Sequence, residues 1–329
     1  MTKRKRYYTM LQMLLNYWQK SCVLNYRPFR LWIEATNLCN LNCVMCLNNS
    51  DKVKKRGFME FGLFKKIIDE AKDFVYSVNL HHRGESLMHK DLNRMIEYCH
   101  DNGIYSQLHT NATLLSKKRA YEIITSGLDF ISFSFDGYDK QTYESIRIGA
   151  NFERTLKNIK NFLKMKSELR NKTPFTVFET INFSSNVNHQ DKNFREGLLS
   201  LGLDKFIIKQ PHNWAGECES CLPDKKYFNK KDTYSTCTFP WYALVILWDG
   251  TVVVCPQDFF GEIIVGDINV STLTEMWNNS SMINFRKKMK EKRYREFDPC
   301  ISCDRLRRPS FLAVPTSHLR AFLKESLFM

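Results

Sequence analysis

Six stretches of strand character separated by amphipathic helical stretches run from Arg30 to Gln210, and this alternation constrains the fold more than any other feature of the chain. Residues 30–36, 74–81, 104–110, 128–135, 174–182 and 203–210 are rich in Ile, Val, Phe and Tyr, as pleated, half-buried segments are. Between them the apolar residues switch to helical spacing. Leu92, Met95, Ile96 and Cys99 share one face, with Asp91 placed to cap its start and Gly103 to end it. Phe152, Leu156, Ile159 and Leu163 make a second such face, and Phe194, Leu198 and Leu201 a third. Repeated strand–helix units imply a parallel sheet with right-handed crossovers, and six of them fall two short of a closed eight-fold barrel. Periodicity fits an open, doubly wound sheet equally well.

After Gly216 the texture changes. Helical periodicity lapses, and six of the eleven cysteines appear: Cys218, Cys221, Cys237, Cys255, Cys300 and Cys303. Residues 243–248 and 251–255 read as a hairpin turned by Asp249-Gly250, and residues 272–291 as a basic helix. The expected plan is an N-terminal basic helical extension (1–28), an α/β unit (29–215), a separate small cysteine-rich α+β module (216–305) and a basic tail (306–329).

No secretory signal is read, because the apolar stretch after Lys3-Arg4-Lys5-Arg6 contains Gln12, Asn16 and Gln19 and lacks a small-residue cleavage site. Cysteines in such a chain point to metal ligation rather than disulfides, and to a reducing compartment, the cytoplasm. Cys39-Asn40-Leu41-Asn42-Cys43-Val44-Met45-Cys46 follows the first strand directly. Three closely spaced thiolates on one loop hold three irons of a cubane and leave the fourth iron without a protein ligand. A structural zinc site wants four closed ligands, so here it would need a fourth from afar.

This spacing, three and then two intervening residues just past the first strand, resembles the signature of the radical SAM superfamily. The resemblance extends to about Asn213 and implies a partial (β/α)6 barrel. It also implies a 4Fe-4S cluster on Cys39, Cys43 and Cys46 that binds S-adenosyl-L-methionine. The family cleaves this cofactor reductively to a 5′-deoxyadenosyl radical, which abstracts hydrogen from substrate; an electron donor such as flavodoxin or ferredoxin is implied. The family often has an aromatic residue where Met45 stands, and a thioether can still cover an adenine face. Arg83-Gly84-Glu85-Ser86, after the second strand, resembles the family's Gly-Gly-Glu-Pro, which implies that Gly84 and Glu85 meet the cofactor's ammonium. Arg83 and Ser86 depart from that pattern. Thr110-Asn111-Ala112 resembles the family's Thr-Asn-Gly, and Ser134-Phe135-Asp136-Gly137 its Ser-x-Asp-Gly. Asn111, Ser134 and Asp136 are thereby expected at the cofactor, with Arg147 either clasping its carboxylate or lying on the surface. His81 and His82 end the second strand, where alternating directions send at least one into packing. Cys22 and Cys99 read as buried apolar residues.

Cys237, Gly250, Cys255 and the Cys300-Ile301-Ser302-Cys303 pair resemble the auxiliary-cluster modules called SPASM and Twitch. The resemblance implies one auxiliary 4Fe-4S cluster on Cys237, Cys255, Cys300 and Cys303, closed by four thiolates and therefore an electron carrier. A zinc knuckle of Cys218, Cys221, Cys300 and Cys303 is the alternative, though it strands the hairpin pair.

The net charge of +14 invites an anionic partner, although solvated helix faces produce the same excess. Basic residues are scattered, which disfavours nucleic acid. Met10, Leu14, Tyr17 and Trp18 give the N-terminal segment a helical apolar face. That face either docks on the barrel, the favoured reading, or touches a membrane surface peripherally. The longest apolar run, residues 239–255, is broken by Asp249-Gly250 and does not span a bilayer. Three functions follow from the resemblance. The first is an oxidoreductase acting on a small molecule, a sugar or cyclitol that is oxidised, dehydrated or epimerised, as in the Twitch-containing alcohol dehydrogenases. The second is a maturase of a peptide or protein side chain, disfavoured by the short segment before the first strand, and the third an RNA-modifying enzyme.

Overall fold

A computed structural model of the chain describes residues 1–183, 192–217, 234–311, 314–316 and 319. Cys218, Cys221 and most of the tail 306–329 lie outside the described residues. Helix α1 (Lys3–Gln19) leads into β1 (Arg30–Ile33), α2 (Phe61–Ala71), β2 (Ser77–Asn79), α3 (Leu92–Asp101), β3 (Tyr105–Thr110) and α4 (Lys117–Thr125). Then come β4 (Phe130–Ser134), α5 (Lys140–Ile146), α6 (Phe152–Glu168), β5 (Phe175–Ile181), α7 (Lys192–Leu199) and β6 (Lys205–Lys209). All six expected strands are present, and β1 to β6 pair in parallel in sequence order. The sheet curves as a partial (β/α)6 barrel whose edges, β6 at one end, do not meet. The helical faces read from spacing pack inward: Leu92, Met95, Ile96 and Cys99 are fully buried, and of the second face Ile159 and Leu163 are buried while Phe152 and Leu156 are half-buried against the core. Asp91 stands at the start of α3 without a side-chain hydrogen bond to the helix backbone, its carboxylate instead accepting from Arg94 Nη1 at 2.7 Å.

The C-terminal module is not set apart from the barrel. Strand β7 (Ala243–Ile246) pairs in parallel with β1, and β8 (Thr251–Val253) and β9 (Ile264–Asp267) continue antiparallel, so one nine-stranded sheet crosses both regions. The β7–β8 hairpin matches its turn signal, and Gly250 turns it at φ 97°. No sequence signal marks the use that β7, buried at every position, makes of the free edge of β1. The expected helix 272–291 is divided into α8 (Leu273–Trp277) and α9 (Ser280–Lys290), since Asn279 caps a new helix start by accepting from Met282 N. A short α10 (Asp298–Ile301) carries Cys300.

Helix α1 docks at the N-terminal ends of the strands. Tyr17 is buried, donates its hydroxyl to Thr236 O at 2.7 Å, and meets Trp241 edge-on at 5.5 Å; Arg6 Nη1 donates to the Tyr76 hydroxyl at 3.0 Å. No helix among the described residues is long and apolar enough to cross a membrane.

Candidate active site

Parallel strands aim their C-terminal ends at one mouth, where following loops meet. Here the loops after β1, β2, β3, β4 and β6, with the end of β5, line a cavity of about 210 Å³ whose wall includes Cys39, Cys43 and Cys46 from the first loop, Glu85 from the second, and Trp214 from the last. The three thiols are half-buried on a loop that is held from several sides. Asn42 N and Val44 N donate to Ile148 O and Ile146 O at the end of α5, and Asn37 Oδ1 accepts from Gly57 N. Asn40 donates to the Thr113 hydroxyl and accepts from Asn111 Nδ2. Gly84 leans on the same loop: a side chain there would strike the carbonyl oxygens of Thr36 and Leu38, and Glu85 N donates to Leu38 O at 2.8 Å. Glycine is therefore required at this point by close backbone approach.

Glu85 is buried with its carboxylate engaged. Oε1 accepts from Leu87 N and the Thr110 hydroxyl, and Oε2 from Asn111 N at 2.7 Å. Burial pushes its carboxyl up, and these donors oppose the rise. Asn111 is braced through Thr113 and Asn40, and Ser134 stands half-buried on the wall. Asp136 differs from expectation: it is fully buried and does not line the cavity. Its Oδ1 accepts from Ile181 N at 2.6 Å, and its Oδ2 holds Arg147 through Nε at 2.8 Å and Nη2 at 2.6 Å. Arg147 is on the wall, but aimed by Asp136 and placed beside Cys43, where its guanidinium opposes the rise that burial imposes on the thiol.

Several wall residues carry little or no sequence signal. His81, His82, His109 and His212 all line the cavity, with the rings of His81 and His109 4.3 Å apart. Both His81 and His82 thus reach the wall, contrary to the expectation that strand alternation turns one away. Burial holds His82, His109 and His212 down to about 4, against the upward pull of Glu34 on His82 and of Glu179 on His109, so these imidazoles are neutral at pH 7. Arg83 stands where the family pattern has glycine and forks onto Glu34, Nε to Oε1 at 2.6 Å and Nη2 to Oε2 at 2.7 Å. It also donates to Phe259 O, and Glu34 accepts from Trp248 N, so the pair joins the second loop to the C-terminal module. Trp214 and Ala215 take left-handed backbone at φ 45° and 60°, a conformation costing roughly 1–3 kcal/mol for each non-glycine residue.

In the module, Cys237 precedes β7, Cys255 follows β8, Cys300 lies in α10 and Cys303 just beyond it. All four are buried, and each thiol is raised by burial and by other cysteines or acidic neighbours, Cys237 by burial alone, to about 11. Among the described residues no three His, Cys, Asp or Glu side chains close up around a single ion. Cys255 nevertheless lies near Cys237, Cys300 and Cys303, and soft sulfur donors in a dry site suit an iron–sulfur cluster.

Two family profiles match in chain order: residues 33–185 match the radical SAM superfamily, and residues 237–304 an iron–sulfur cluster-binding domain, SPASM. The chain carries a radical SAM domain followed by a SPASM domain. These two domains imply 4Fe-4S clusters and S-adenosyl-L-methionine, and the cysteine sets just described fit them. Among the relatives of this radical SAM chain, an S-adenosyl-L-methionine-dependent 2-deoxy-scyllo-inosamine dehydrogenase of Niallia circulans is 21% identical over 83% of this chain and 91% of its own. The crystal structure of BtrN with AdoMet and 2-DOIA aligns at TM-score 0.56 and 18% identity, covering 84% of this chain and 92% of that one. SuiB of Streptococcus suis bound to precursor peptide SuiA aligns at TM-score 0.63 and 16% identity, covering 90% and 73%. The chain spans half or less of the length of the first curated relatives it matches.

Proposed function

We propose that this radical SAM enzyme oxidises a hydroxyl-bearing small molecule, a sugar or cyclitol, and passes the surplus electron to an auxiliary cluster on Cys237, Cys255, Cys300 and Cys303. The observation that carries this reading is extent. The match to the Niallia circulans dehydrogenase runs over 91% of that protein, through barrel and module alike.

Bound at Cys39, Cys43 and Cys46, the cluster and cofactor supply a 5′-deoxyadenosyl radical. The chain's own residues hold and orient. Gly84 lets the second loop press on the cysteine loop, and Glu85, Thr110 and Asn111 form one hydrogen-bonded ledge beneath it. Arg147, fixed by Asp136, sets positive charge beside Cys43. The neutral imidazoles of His82, His109 and His212 are in the state needed to accept a hydroxyl proton as a carbon centre becomes a carbonyl.

A second reading, a peptide maturase, draws on the likeness to SuiB and to anSMEcpe bound to a peptide, which covers 97% of that chain. The two are separated by incubating the reduced, reconstituted enzyme with a panel of aminocyclitols and sugars, and in parallel with short Cys- and Ser-containing peptides. Substrate-dependent 5′-deoxyadenosine with an equal amount of ketone from a cyclitol or sugar is expected. Stimulation by peptides alone would sink the small-molecule reading.

A further inference from the structure

The segment after β6 touches the surroundings of both cysteine sets. Trp214 Nε1 donates to Met45 O at 3.0 Å, next to Cys46. One residue earlier, Asn213 Nδ2 donates to Ser302 O at 2.7 Å, next to Cys303. The Trp214 ring lines the cavity, packs edge-on against His212 at 4.3 Å and against Phe259 at 5.0 Å, four residues past Cys255. Farther along, Glu217 pairs with Lys52 at 2.8 Å, a second tie between this segment and the chain beyond Cys46. Two consecutive left-handed residues, Trp214 and Ala215, give the backbone the hook that lets neighbouring side chains reach opposite partners. Such a conformation persists only where surrounding contacts determine it.

We infer that Trp214, together with Asn213, is a positioning strut: it ties the three-cysteine loop to the four-cysteine module across the cavity, so that cofactor binding at the first is felt at the second. The strut rests on the two cluster sites of the proposed function, and not on the identity of the substrate. It acts through contact rather than chemistry. When S-adenosylmethionine fills the cavity and stills residues 39–46, the Met45 carbonyl holds Trp214, and the adjoining Asn213 amide holds Ser302.

Hydrogen exchange read by mass spectrometry on the full, reconstituted chain tests this, with S-adenosylmethionine alone as probe. In the unsubstituted enzyme the cofactor should slow exchange in residues 39–46 and, by about tenfold, in residues 298–303. Trp214→Phe keeps an aromatic ring beside Phe259 and removes the N–H to Met45 with part of the indole. Asn213→Ala removes only the amide to Ser302. Each should retain cofactor protection at 39–46 and lose it at 298–303, with iron content and circular dichroism unchanged. Protection at 298–303 that survives in both variants, or is missing from the unsubstituted enzyme, overturns the strut. So does loss of iron in both variants, which would make the segment a plain structural support. Absent protection at 39–46 in the unsubstituted enzyme would instead strike the cofactor reading itself.

Discussion

The two cysteine sites of this chain use the same ligand type in opposite settings. Cys39, Cys43 and Cys46 are half-buried on one loop, at a cavity wall crowded with polar and charged groups. Cys237, Cys255, Cys300 and Cys303 come from separated elements and are buried in the same apolar core as Phe239 and Trp241. The first site has Arg147 beside Cys43 and lines a cavity with room for a guest; the second has Arg305 near Cys237 and Cys303 and is buried in the core. An open, incompletely ligated cluster is a place where a molecule can bind an iron, whereas a closed and dry one exchanges only electrons. On the proposed function, the contrast puts the chemistry in the barrel and electron storage in the module.

The sharpest way to break the contrast is to remove the open site. Changing Cys39, Cys43 and Cys46 together to Ala should abolish 5′-deoxyadenosine formation and lower iron from about eight to about four atoms per chain, one cubane's worth. Continued cofactor cleavage, followed by chromatography under reducing conditions, would remove the assignment of the barrel loop.

Removing the closed site should act differently. A Cys300→Ala, Cys303→Ala variant should also fall to about four irons, yet still cleave the cofactor while failing to make oxidised product. Four thiolate–iron bonds also staple the module, so circular dichroism and gel filtration must first show a retained fold. A folded variant that oxidises substrate at the normal rate would end the electron-acceptor role.

Glu85→Ala should have an intermediate effect. It leaves the Thr110 hydroxyl and the N–H of Asn111 unpaired in a buried place, a loss of about 1–3 kcal/mol, read as a lower denaturation midpoint. Weaker cofactor affinity should accompany it in titrations of the reconstituted enzyme. Unchanged affinity would mean that the ledge supports the fold and never meets the cofactor.

The smallest effect, counted per side chain and per pH unit, concerns pH. His82, His109 and His212 sit near 4 in the folded chain against 6.5 when unfolded, so the unfolded state binds more protons between those values. Their contribution to stability is complete above pH 6.5 and is lost as the pH falls toward 4, by up to about 1 kcal/mol per pH unit for each histidine. Urea midpoints at pH 7.5, 6.5 and 5.5 should decline in that order, and His109→Gln should flatten the decline. An unaltered slope would show that this imidazole is not buried neutral.

Much of the fold and the open site is legible in the order of residues. Six strands and the inward faces of α3 and α6 follow from residue periodicity, because burial selects apolar side chains at the spacing of each element. Cys39, Cys43 and Cys46 are legible because three ligands on one loop are neighbours in the chain itself. Gly84 and Glu85 are legible as a motif, though not the reason for the glycine, which is the backbone of Thr36 and Leu38 pressing against it.

What the tertiary structure alone decided is everything made by residues distant in sequence. Strand β7 joining β1, the Arg83–Glu34 fork that ties the module to the barrel, and Asp136 turned onto Arg147 rather than into the cavity are all of this kind. So are His109 and His212, 103 positions apart, which meet on one wall, and the hook at Trp214. A periodic pattern states which face of an element is buried, but not against what. Charged side chains pair by proximity in space, and the sequence holds no record of that proximity until the strands have set their order and the loops have been brought to a common mouth.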